Sequence, residues 1–340
     1  MLTIAYIGNG KSVNRYHLPF SLKLKDKIKV KTIYSRKPDS SWPKIDGINY
    51  TNDIHDIYDD PEIQLVVIST PSNTHFSLAK DVLEHGKGAL VEKPFTETSA
   101  QARELFSLAK EKGLFVQCYQ NRRYDSDFLT TQKVIKSGLL GDLLEVEMSY
   151  DYFRPEVPES VKEFSVYNSY LYGHACHTLD QVISFFGKPR DTHFEVRQLL
   201  GKRRMNDYFD LDLFYDGPLK VSVKSSYFRL KARPSFVVYG KKGVFVKQEK
   251  DRQEVDLKHF YMPDHADFGI DRPEDYGTLT YLDDAGKYHE EKVESEIGDY
   301  SRMYAAIYDA MMNGKEKPVK DEETVLQLEM LETAIKQIQE

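Results

Sequence analysis

Leu65-Val66-Val67-Ile68 is an unbroken run of apolar, mostly β-branched residues, followed by Ser69. A strand without polar alternation has no face to give to water, so it must be covered on both sides. Helices on both faces of a parallel sheet do this, and the surrounding chain supplies the parts. Leu2–Ile7, Ile28–Tyr34, Ala89–Val91 and Leu114–Cys118 are further short apolar runs. Between them Leu78, Ala79, Val82 and Leu83 recur at helical spacing with Gly86 as a stop. Thr98 with Gln101 forms a capping box for another helix, which ends at Gly113. Strand–helix alternation predicts a doubly wound parallel sheet, an α/β fold, over residues 1–122.

A chain of 340 residues exceeds one ordinary core, so a second domain is expected over 123–340. There the rhythm changes. Leu144, Val146, Met148, Tyr150 and Tyr152 alternate with Glu145, Glu147, Ser149, Asp151 and Phe153. Asp216-Gly217 joins the runs Phe209–Tyr215 and Leu219–Phe228, and Gly240-Lys241-Lys242-Gly243 joins two more. Helical spacing returns at Tyr304–Met312 and Thr324–Ile338. The expectation is an α+β domain with a large, mainly antiparallel sheet. Its second face, supplied from 23 tyrosines and 18 phenylalanines, is expected to pair with another subunit as a homodimer or homotetramer.

A net charge of −7 argues against nucleic acid as a partner. No stretch is long and apolar enough to span a bilayer, and Met1–Ile7 lacks the pattern of a secretory leader. Two cysteines, Cys118 and Cys176, make no disulfide framework and have no metal-site spacing; a reducing cytoplasm is expected. The histidines lack zinc-motif spacing, so no metal is expected.

Ligands of open α/β sheets bind beyond the carboxyl ends of the strands. The first strand meets Gly8-Asn9-Gly10, and Lys11-Ser12-Val13 opens a helix. Gly8 would make the turn and Gly10 would admit a pyrophosphate at the helix N-terminus. Val13 stands where a third small residue belongs, and His17-Leu18-Pro19 should break the helix. The second strand ends in Ser35-Arg36-Lys37 rather than an acid, which suits the 2′-phosphate of NADP better than the free ribose of NAD. Glu92-Lys93-Pro94 and Asn121 follow later strands. Alone, Glu92-Lys93 reads equally as a solvated strand end. In His174–Phe186, His177, Asp180, Gln181 and Ser184 form a polar stripe opposite Ala175, Leu179, Val182, Ile183 and Phe186. Alone, that stripe reads as a solvated face. A carboxylate one turn from a histidine can also set its tautomer.

In order along the chain, Gly8-Asn9-Gly10, Ser69-Thr70-Pro71-Ser72-Asn73-Thr74-His75, Glu92-Lys93-Pro94, Asn121-Arg122-Arg123-Tyr124 and His177-Thr178-Leu179-Asp180 resemble one family. It is the Gfo/Idh/MocA family of glucose–fructose oxidoreductases and inositol dehydrogenases. The resemblance covers essentially the whole chain and is nearest to NADP-dependent scyllo-inositol dehydrogenases. It implies a Rossmann domain and hydride transfer between a nicotinamide and a sugar or polyol hydroxyl. Lys93 and His177 would act at the reacting oxygen, converging in an interdomain cleft, with Asp180 behind the histidine. Thr70, Pro71, Asn73, His75, Glu92 and Asn121 would lie along the cofactor. Arg122, Tyr152, Arg154, Tyr172 and His174 are candidate substrate contacts. Many inositol dehydrogenases carry an Asp four residues before the histidine, where this chain has Gly173. Two other functions stay open: a cofactor- and sugar-binding regulator without turnover, and an NAD-dependent glycosidase.

Overall fold

A computed structural model of the chain describes residues 1–37 and 42–338. Among them, two sheets organise two compact units. The first unit comprises Met1–Asn121 with Asp256–Phe268 and Tyr300–Leu328. Its strands are β1 (Leu2–Ile7), β2 (Ile28–Tyr34), β3 (Asn49–Thr51), β4 (Leu65–Ile68), β5 (Gly88–Val91) and β6 (Val116–Cys118). They form a six-stranded parallel sheet in the order β3-β2-β1-β4-β5-β6. All four residues of β4 are fully buried, as a run without alternation requires. Burying each such side chain contributes about 1.5–3 kcal/mol.

Local signals end the elements where the spacing predicts. Thr98 Oγ1 accepts from the Gln101 backbone N–H in a closed capping box, and Gly113 stops that helix at φ 66°. The segment after the glycine turn is π-helical over Val13–His17 and regular only from Leu18 to Leu22. His17 carries the irregularity, at φ −121° and ψ −65°, where Pro19 has no N–H to continue the ladder.

The second unit comprises Arg122–Val255, Gly269–Asp299 and Glu329–Glu340. Its strands are β7 (Leu143–Ser149), β8 (Asp191–Arg197), β9 (Tyr208–Phe214), β10 (Lys220–Ser226), β11 (Phe236–Gly240), β12 (Gly243–Lys247), β13 (Gly277–Leu282) and β14 (Tyr288–Val293). The sheet order is β14-β13-β12-β11-β7-β10-β9-β8, antiparallel except for the parallel pair β7–β10. Both hairpins form at the glycine signals.

The face expected to be rich in Tyr and Phe is mixed, with a charged ladder running beside Tyr208, Phe214 and Tyr239. On β9, β10 and β7 the positions opposite the buried Leu211, Leu213, Val221, Val223 and Val146 include Asp210, Asp212, Lys220, Lys224, Glu145 and Glu147. Lys220 Nζ lies 2.8 Å from Glu145 and 3.8 Å from Asp212, and Lys224 Nζ 3.7 Å from Glu147 and 3.8 Å from Asp210. Tyr208 and Phe214, half-buried, and Tyr239, exposed, share this face with the charged ladder, while Phe209, Phe236 and Phe245 turn to the interior, where their area stabilises most.

Candidate active site

Register sets the site. Tyr34, Ile7, Ile68, Val91 and Cys118 are partners across neighbouring strands and form one row at the carboxyl ends of β2, β1, β4, β5 and β6. The segments expected to bind a nucleotide therefore leave the first sheet along one edge.

Gly8 sits at φ 118°, and a Cβ there would lie 2.2 Å from Ser69 O. Only glycine lets β1 turn this close to the loop after β4. A Cβ on Gly10 would meet nothing within 4 Å, so open space stands over the start of the helix. Asn9 Oδ1 accepts from Asn14 Nδ2 at 3.0 Å, and Lys11 is exposed. Ser35 Oγ donates to Lys37 O at 2.8 Å, while Arg36 and Lys37 are exposed. An open glycine turn at a helix start, with exposed cations after β2, fits a dinucleotide.

In the next loop, Thr70 Oγ1 lies 2.7 Å from Thr74 Oγ1, and Pro71 and Asn73 are exposed. His75 is buried, its Nδ1 2.8 Å from Pro94 O and its Nε2 3.0 Å from Thr70 O. Burial pulls its pKa below the usual imidazole range, against the pull of those two carbonyls. The ring thus bridges the loops after β4 and β5. The Lys93–Pro94 peptide bond is cis.

Glu92 is no solvated strand end. Its side chain is 12% exposed, Oε1 accepts from Ser12 Oγ and faces His17 Nε2 at 3.0 Å, and Oε2 accepts the Lys93 N–H at 2.9 Å. Burial pushes the carboxyl up, but the His17 hydrogen bond and charge, the Lys93 charge and the Ser12 hydroxyl together bring it down to about 2.

In the second unit, the helix Cys176–Phe186 is buried on both stripes. His177 is 8% exposed, Asp180 2% and Gln181 2%, so the polar stripe is not solvated. Arg123 holds Asp180 fork to fork, Nε to Oδ2 and Nη2 to Oδ1, both at 2.7 Å. Gln181 Nε2 donates to Arg122 O at 2.6 Å. Arg122 is engaged inside this unit, with Nη1 2.5 Å from Tyr150 Oη and Nη2 2.9 Å from Glu254. Gly173 lies in a π-helical turn, Leu171–Ala175, and a Cβ there would meet nothing within 4 Å. A Cβ is therefore tolerated there, and no close contact requires the glycine.

Around the substrate candidates is an aromatic wall. His174 lies 4.4 Å from the Tyr170 ring and 5.4 Å from Tyr152, and Tyr152 lies 5.5 Å from Tyr150. Burial raises the Tyr152 hydroxyl above its ordinary range. Lys250 Nζ stands 4.3 Å over Tyr150 and 4.5 Å over Tyr152. Tyr172 is buried; Arg154 is exposed, its Nε 3.7 Å from Glu156.

Sequence reasoning missed Arg123, Lys250, His17 and Tyr304 as parts of these sites. The signal for His17 was the helix break itself; nothing local marks Tyr304, which joins the first unit from far along the chain.

Comparison with known proteins agrees with this geometry. The family description "Oxidoreductase family, NAD-binding Rossmann fold" matches residues 2–120, and "Oxidoreductase family, C-terminal alpha/beta domain" matches residues 132–340. The chain is 44% identical to the uncharacterized oxidoreductase YhhX of Escherichia coli (strain K12), over 99% of this chain and 97% of that one. A crystal structure of a probable oxidoreductase YhhX superposes with a TM-score of 0.93 at 43% identity, covering 99% of this chain and 97% of the other. The scyllo-inositol 2-dehydrogenase (NADP(+)) IolW of Bacillus subtilis (strain 168) is 30% identical over 100% of this chain and 94% of its own length. With a Rossmann sheet whose loops fit a dinucleotide and both family halves matched in order, the chain is an oxidoreductase with an NAD-binding domain and belongs to the Gfo/Idh/MocA family.

Proposed function

We propose that the protein is an NADP-preferring dehydrogenase acting on a CH–OH carbon of a sugar or polyol of the inositol kind. The observation that carries the reading is the row Tyr34-Ile7-Ile68-Val91-Cys118. It brings the glycine turn, the basic turn after β2, the Thr70 loop and Lys93 to one edge of one sheet. The name of the Bacillus subtilis relative supports both the substrate class and NADP.

In this reading Gly8, Asn9, Gly10, Lys11 and Ser12 hold the pyrophosphate, and Ser35, Arg36 and Lys37 hold the 2′-phosphate. Thr70, Pro71, Asn73 and Asn121 line the remainder, while His75 and Glu92 position the loops they bridge. The bound nicotinamide supplies the hydride acceptor. His177 takes the hydroxyl proton, and Lys93 holds the oxygen and stabilises negative charge developing on it. Asp180 and Arg123 fix the helix that carries His177. Arg122, Tyr152, Arg154, Tyr172, His174 and Lys250 shape or contact the substrate. The enzyme works in the cytoplasm as a homodimer or homotetramer through the second sheet, whose charged ladder makes the contact polar.

The test is a screen of free polyols and aldoses with NADP, followed by absorbance of the reduced nicotinamide. Reduction of NADP by at least one inositol-like polyol is expected. Binding of sugar and nucleotide without reduction would instead identify a regulator.

A further inference from the structure

His17 is completely buried within the first unit, and its ring stacks on Tyr119 at 4.1 Å. A continuous chain of hydrogen bonds runs through it. Nε2 lies 3.0 Å from Glu92 Oε1, and Nδ1 2.8 Å from Tyr304 Oη. Tyr304 Oη lies 3.2 Å from Tyr6 Oη, Tyr6 Oη 2.8 Å from Ser21 Oγ, and Ser21 Oγ 3.0 Å from Leu18 O.

Counting hydrogens from the far end fixes every direction. A carbonyl only accepts, so Ser21 spends its hydrogen on Leu18 O. Tyr6 must then donate to Ser21, and Tyr304, finding the Tyr6 hydrogen already used, must donate to Tyr6. Tyr304 has no hydrogen left for His17, so Nδ1 carries the proton between them. At the other side Glu92 already accepts from Ser12 at Oε1 and from the Lys93 N–H at Oε2, which suits a carboxylate. Nε2 therefore donates as well.

We infer that His17 is held as an imidazolium against an ionised Glu92, and that this buried pair is a positioning device for Lys93. One carboxylate ties the helix after the glycine turn, through Ser12 and His17, to the backbone of Lys93. The ionisable groups facing the ring are Glu92, Tyr304, Tyr6 and Tyr119, with Lys93 beyond the carboxylate. The link to catalysis rests on the role proposed for Lys93; the protonation state does not.

The test is ¹⁵N NMR of the full chain labelled at histidine, with His17→Gln identifying the resonances. Both His17 ring nitrogens should carry a hydrogen in the folded protein, as the acceptors facing them require. One unprotonated-type nitrogen there would overturn the inference, whether or not any polyol is oxidised. Tyr304→Phe keeps the ring but removes the acceptor of Nδ1, so that nitrogen should lose its hydrogen. A ring still doubly protonated in that variant would show that the hydroxyl chain does not set its state. In turnover, His17→Gln should lower kcat by about 10- to 100-fold with KM for the polyol nearly unchanged, as misplacement of a catalytic group does. An unchanged kcat in a folded His17→Gln protein would remove the positioning role.

Discussion

Arg123 and Asp180 meet through two parallel hydrogen bonds of 2.7 Å, and the carboxylate is 2% exposed. Fork-to-fork geometry with so little solvent makes this pair different from a surface ion pair. Arg123→Ala should destabilise the fold by about 3–5 kcal/mol, because it strands a buried carboxylate. Arg123→Lys should recover only part of that, since an ammonium cannot supply the planar fork. Denaturant midpoints at constant m-value measure both. A loss under about 1 kcal/mol for Arg123→Ala would put the pair in the surface class.

Lys93 and His177 should each matter to turnover more than to nucleotide affinity. His177→Ala is expected to cost about 10²–10⁴-fold in kcat. Lys93→Ala should cost a similar order, as it removes charge that counts mainly in the transition state. The double variant should fall short of the product of the two losses. Removal of the base should also flatten the acid limb of the pH–rate profile. Near-normal kcat with an unchanged acid limb in His177→Ala would sink the mechanism.

Arg36→Ala should weaken NADP binding much more than NAD binding, because a guanidinium beside a 2′-phosphate has no counterpart at a free hydroxyl. Nucleotide fluorescence titrations with both cofactors read the ratio. Equal weakening would make Arg36 an ordinary exposed charge.

Asp251 gives the second unit a pH dependence. Burial and then the charge of Asp127 push its carboxyl up to about 7, against the Ser126 backbone N–H, the Ser126 hydroxyl and the Gln253 side chain. The folded state therefore keeps a proton that the unfolded chain releases near its ordinary carboxylate range. Stability from this group is complete below that range and is lost as pH rises through about 7. Asp251→Asn keeps the Oδ1 acceptor that holds Ser126 N–H at 2.9 Å, without the ionisation. Its melting temperature should gain on that of the wild type between about pH 5 and about pH 8. Parallel curves would contradict the shift.

Association through the second sheet should be sensitive to salt. The Lys220, Lys224, Glu145, Glu147, Asp210 and Asp212 ladder puts charge on the face that Tyr208, Phe214 and Tyr239 share. Light scattering at micromolar concentration should show a dimer or tetramer at low salt and a shift toward monomer at about 1 M, where screening acts over about 3 Å. A monomer under both conditions would remove the oligomer.

Short-range physics made much of this protein legible in its sequence. The β-branched run Leu65–Ile68, the capping box at Thr98 and the glycine turn at Gly8 each act within a few residues, so their outcomes follow from local sterics and hydrogen bonding. The family motifs added the order of the candidate site residues. What the sequence could not give was partnership at long range. The parallel pairing of β7 with β10, Arg204 donating to the carbonyls of Val161, Pro158 and Glu159, and Tyr304 reaching His17 all join positions far apart in the chain. A polar stripe such as His177, Asp180 and Gln181 looks the same in sequence whether water or Arg123 satisfies it. Burial decided that, because a carboxylate removed from water must find its counter-charge inside the fold.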